Sequence, residues 1–113
     1  MINTSACELA DKIIAEFKDD PRNKVFVSAD ALVASACEET GMKVKGAELA
    51  KVIDNYLSGD LDDKSVSIYD GAVAICGYVA RSCFGDNPDD DLDYEIDWIQ
   101  EDDGTYTAEV RPS

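Results

Sequence analysis

In the first half of the chain, apolar residues return with helical spacing. Leu9, Ala10, Ile13, Ile14 and Phe17 share one stripe. Ser5 followed by Glu8 forms a capping-box pattern, and Asp19-Asp20-Pro21 ends the run, because proline offers no amide donor and disfavours a helical residue before it. Residues 24–27 read as a short extended piece. A second helix follows, capped by Ser28 or Asp30, with Leu32, Val33, Ala36 and Cys37 on one face and Gly41 as its stop. A third, over 47–58, places Leu49, Ala50, Ile53, Tyr56 and Leu57 together and stops at Gly59.

From Ser65 the apolar period shifts towards two, and Asp70-Gly71 is a favoured pair for a two-residue hairpin turn. Pairing outward from it sets Ile68 opposite Val73 and Val66 opposite Ile75, with a bulge at Gly77 and the second strand running on towards Phe84. A second hairpin is predicted over 93–111. Its register depends on the loop. Three loop residues, Asp102 to a left-handed Gly104, put Trp98 opposite Ala108, Ile96 opposite Val110 and Gln100 opposite Tyr106. A four-residue loop would set Ile96 against Glu109 and Trp98 against Thr107. The first choice gathers Tyr94, Ile96, Trp98, Tyr106, Ala108 and Val110 on one face, so packing selects it. The expected fold is α+β: three N-terminal helices, then an antiparallel sheet of about four strands in two hairpins, with helices on one face.

A chain of 113 residues is one domain in size, so a single domain over 1–113 is expected. No apolar run approaches the ~20 residues that span a bilayer, and the N-terminus lacks the basic start and apolar stretch of a secretory signal. The expected location is the cytoplasm. Cys7, Cys37 and Cys76 lie among apolar residues and read as reduced core thiols; the even cysteine count leaves a disulfide, or a redox-active Cys83, as the alternatives. With no histidine and no C-x-x-C pair, zinc is not expected, and no other cofactor is implied.

Charge changes the picture more than size does. The net charge of −15 excludes ordinary nucleic-acid binding by phosphate neutralisation and disfavours an anionic membrane surface. It is also local: residues 86–113 hold 11 acids and one base, against 14 and 9 in the rest. Asp86, Asp89, Asp90 and Asp91 lead into the second hairpin. In its register, Asp93, Glu95, Asp97, Glu101 and Glu109 share the polar face with Arg111 as the one base, while Asp102 and Asp103 occupy the loop. Asp97 then faces Glu109 directly, a like-charge pairing that destabilises a sheet and marks a departure from ordinary surface design. Carboxylates at alternate strand positions stand ~6.8 Å apart, a row of the general kind that a phosphate backbone presents. These eleven acids are the candidate partner-binding residues. Calcium is an alternative for the alternating Asp89, Asp91, Asp93 and Glu95, but the glycine and late glutamate of an EF-hand loop are missing from 86–97.

Catalysis is not expected. The commonest general base is absent, no phosphate loop or dinucleotide fingerprint occurs, and the dense acid clusters lie in segments expected to be exposed, where no apolar pocket raises a carboxyl pKa. Residues 30–58 with the Asp70-Gly71 hairpin resemble a helix-turn-helix with a wing, yet the second helix carries Glu48, Lys51 and Asp54 rather than a basic face. In size and charge distribution the chain resembles the small acidic proteins with which phages and plasmids block restriction or CRISPR nucleases, though no motif assigns a family. The function expected is therefore a non-enzymatic, DNA-mimic-like inhibitor that occupies a basic, nucleic-acid-binding surface of a partner protein. An immunity protein against a basic nuclease toxin, and a structural or regulatory subunit whose acidity only solubilises it, are the alternatives.

Overall fold

A computed structural model describes residues 5–85 and 92–113. Their order is α1 (Ser5–Asp19), β1 (Val25–Val27), α2 (Ala29–Thr40), α3 (Gly46–Ser58), α4 (Asp63–Phe84), β2 (Tyr94–Gln100) and β3 (Tyr106–Pro112). The architecture is α+β, with four helices and a three-stranded antiparallel sheet.

The first three helices and the extended piece lie where apolar spacing puts them. Ser28 caps α2, its Oγ accepting from the Ala31 amide at 3.3 Å, and α2 and α3 both end on left-handed glycines, Gly41 and Gly59. The described part of α1 begins at Ser5, and the Ala6 amide donates to Glu38 Oε1 of α2 at 3.1 Å, tying the start of the helix to its neighbour.

The expected first hairpin does not form. Residues 63–84 make one 22-residue helix, α4, capped where Asp62 Oδ1 accepts from the Ser65 amide at 2.8 Å. Alternation from Ser65 to Ile68 also fits a helix, since Ile68, Ala72, Ile75, Cys76, Val79 and Ala80 follow at intervals of three and four and all are buried. The two glycines read as turn and bulge are close-approach positions. A Cβ at Gly71 would stand 3.1 Å from Ala36 Cα, and one at Gly77 2.9 Å from the Tyr94 hydroxyl. Gly71 thus lets α4 cross α2 almost backbone to backbone, and Ser35 Oγ donates to the Gly71 carbonyl at 2.7 Å across the crossing. Without a hairpin there, the helix-turn-helix loses its wing.

The second hairpin has the expected register, with Trp98 opposite Ala108, Ile96 opposite Val110 and Gln100 opposite Tyr106. Gly104 has φ +87°, the left-handed conformation that a three-residue loop needs at this position. The third strand is β1, not a second hairpin: Val25 pairs Val110, Phe26 pairs Glu109 and Val27 pairs Ala108, so β3 is central and the order is β1-β3-β2. Val27, Ala108 and Val110, all fully buried, meet Leu32 of α2, Ile53 of α3 and Cys76 and Val79 of α4 in one core. Complete burial of a side chain such as Leu32 contributes about 2–3 kcal/mol.

All four cysteines are free. Cys76 is buried and burial pushes its thiol up to about 12; Cys37 Sγ exchanges hydrogen bonds with the Val44 backbone. Cys7, expected in the core, is exposed instead, because it falls off the buried stripe of Ala6, Ala10 and Ile14. Burial raises Cys83 to about 11, against the weaker opposing pull of Lys18, away from the low value a reactive thiolate needs. No helix among the described residues is long and apolar enough to cross a membrane.

Candidate functional site

Hydrogen bonds at the loop fix which way each backbone group of β2 points. Glu101 donates to the Thr105 carbonyl at 2.8 Å, and Ser113 donates to the Asp93 carbonyl at 3.1 Å. Hydrogen-bonded pairs alternate along an antiparallel ladder, so Asp93, Glu95, Asp97, Ile99 and Glu101 turn their amides and carbonyls towards β3. Those of Tyr94, Ile96, Trp98 and Gln100 point away from it, to the outer edge of β2. Pro112 opposes Tyr94 at a position that bonds nothing on β2, so its missing N–H costs the ladder nothing.

Side chains alternate between faces in the same rhythm. Tyr94, Ile96 and Trp98 turn inward and are half-buried, while Asp93, Glu95 and Asp97 lie exposed. The inward row is thinly covered at this edge. Trp98 packs edge-on against Tyr69 of α4 with ring centroids 5.8 Å apart, and Tyr69 stacks on the exposed Tyr56 of α3 at 4.1 Å. Burial pushes the Tyr69 and Tyr94 hydroxyls above their ordinary pKa. The Tyr106 hydroxyl, which donates to the Asp54 carboxylate of α3, is raised by that hydrogen bond first.

The expected acid row is only partly a row of bare charge. Asp97 does face Glu109 across the strands. Arg111, however, reaches Asp97 at 2.5 Å, Glu95 at 3.6 Å and Glu109 at 3.8 Å, and Lys24 reaches Glu109 at 3.2 Å from beside β1. Two bases therefore straddle the like-charge pair, and the local rule-breaking inferred from the hairpin alone is largely relieved. Glu109 on the central strand is 16% exposed, whereas Glu95 and Asp97 on β2 are 64% and 54% exposed. What faces solvent is the β2 side of the row.

At the tip, Glu101, Asp102 and Asp103 are exposed. Asp103 accepts from the Thr105 hydroxyl at 2.6 Å and amide at 3.0 Å, and these bonds hold its carboxyl below the usual carboxylate range. Asp86, Asp89, Asp90 and Asp91 lie outside the described residues. Of the eleven candidates, the structure joins Asp93, Glu95, Asp97, Glu101, Asp102 and Asp103 along one strand and its turn, and sets Glu109 apart as a compensated charge. Among the described residues, no three acidic or thiol side chains converge on a point that could hold a metal ion. Lys24, Tyr56 and Tyr69 have no signal within the hairpin sequence; only the docking of β1 on β3 and of α3 and α4 behind β2 brings them here.

No protein-family model, no curated protein and no solved structure matches this chain.

Proposed function

We propose that this protein is a non-catalytic binding protein that uses β2 and its turn to occupy a basic, nucleic-acid-binding surface of another protein. The observation that carries the reading is the run of exposed carboxylates from Asp93 to Asp103, with Arg111 the single base on that hairpin. Glu95 and Asp97 are held on the paired strand, with Asp93 at its start and the other acids in its turn, so the backbone that carries the charges loses little freedom on binding. A net charge of −15 would steer a basic partner to them, with the strength falling as salt screens the field. In this role the chain is an inhibitor by competition, since the surface it covers would otherwise hold phosphates.

The test compares wild type with a variant carrying Asp93→Asn, Glu95→Gln, Asp97→Asn, Glu101→Gln and Asp102→Asn as immobilised baits. Wild type alone should retain a basic nucleic-acid-binding protein, which double-stranded DNA or RNA should then displace. Equal retention by both baits would end the proposal.

A further inference from the structure

The edge of β2 differs from a merely charged surface in having backbone groups that no strand pairs among the described residues. The amides and carbonyls of Tyr94, Ile96, Trp98 and Gln100 point away from β3, and among the described residues no strand pairs with them. Such an edge is a template for another strand. Its side chains restrict which strand. At this edge Glu95 and Asp97 occupy non-hydrogen-bonded positions, where side chains of an added strand stand closest, with Cα atoms about 4.5 Å apart. Tyr94, Ile96 and Trp98 alternate with them on the inner, half-covered face.

We propose that this edge receives one extended segment of the partner protein, whose residues alternate between basic and apolar, as an added antiparallel strand. The basic residues lie opposite Glu95 and Asp97; the apolar ones continue the inner row beside Ile96 and Trp98. A second copy of this chain does not fit, because antiparallel pairing of two β2 edges sets one acidic row against the other. This inference rests on the binding reading above and adds to it the mode of recognition and the pattern recognised.

The experiment uses the full ¹⁵N-labelled chain and two synthetic peptides of about seven residues, long enough to match β2. One alternates Lys or Arg with Val or Ile; the other has the same composition with its basic and apolar residues in separate blocks. The alternating peptide should bind about tenfold more tightly, from the two cross-strand ion pairs and the matched apolar face. It should slow hydrogen exchange at the amides of Tyr94, Ile96, Trp98 and Gln100, while those of Asp97 and Ile99, already bonded to β3, change little. Equal affinity for both peptides with unprotected edge amides overturns the strand-addition proposal. In that event the five-substitution variant separates the two ideas: loss of peptide binding leaves the acidic-surface reading standing, and unchanged binding removes it too. Edge amides that gain protection with rising protein concentration, peptide absent, would assign the edge to a second copy and overturn the proposal as well.

Discussion

The two edges of the sheet manage the same hazard by different means. β1 is three residues long, so little more than the backbone of Phe26 faces outward, and α1 runs beside it with Ile13 and Glu16 across a shallow cleft from Phe26. Lys24 anchors this side, paired with Glu109 and lying 5.7 Å from the Phe26 ring centre. β2 is seven residues long, has no further strand on its outer edge among the described residues, and is guarded by carboxylates. Brevity and cover exclude every partner alike, whereas charge excludes only partners of the same sign.

The largest effect should come from proline, placed to separate the two directions of the β2 backbone. Asp97→Pro removes an amide that bonds β3 and should lower unfolding free energy by about 3 kcal/mol; Gln100→Pro removes an outward amide and should cost less than about 1 kcal/mol. Urea unfolding of the two variants measures the difference, and equal losses would mean that the alternation assigned to β2 is wrong.

Alkali should weaken the β2 side before the β1 side. Tyr69, packed on Trp98, and Tyr94 of β2 have raised pKa, as have Tyr106 of the central strand and Cys76 and Cys83 of α4, so the groups nearest a sheet edge are on the β2 side. A raised pKa means that the unfolded chain gives up its proton first. This contribution is therefore whole below the ordinary thiol value of 9.0 and is lost as pH climbs towards the folded values, about 11 for Cys83 and 12 for Cys76. Denaturation midpoints should hold steady up to that pH and fall above it, with hydrogen exchange accelerating in β2 before β1.

The smallest effects sharpen the comparison most. Arg111→Gln frees Glu95 and Asp97 from their shared base. It should cost up to about 1 kcal/mol at low salt, less at high salt, and should strengthen binding of a basic peptide. Lys24→Gln should cost about 0.5 kcal/mol or less and leave peptide binding unchanged, because its carboxylate partner belongs to the central strand. Matched titrations of the two variants would show whether the edges are as independent as they look.

Much of this was legible in the sequence, and what was not has a common cause. The hairpin register could be read because only one loop length brings Ile96 and Trp98 onto the face of Val110 and Ala108, and Gly104 supplies the turn. α4 was misread because Asp70-Gly71 and a short alternation are ambiguous within their own window. What settles them is Ala36, on another helix, which needs Gly71 to have no side chain. The acid row was visible, but the relief of Glu109 was not, since Lys24 approaches it from the far end of the chain. Local chemistry announces itself in one segment; pairings between distant segments do not.

That the central strand is also the last of the three in the chain bears on how the protein comes into being. Until β3 leaves the ribosome, neither β1 nor β2 has a neighbour, so a nascent chain can assemble its helices and still have no sheet. Joining β1 to β3 closes a loop of most of the chain's length, which should make sheet formation the late and slow event of folding. During that interval both faces of the future sheet are open, and carboxylates already present along the second strand would keep unfinished copies apart.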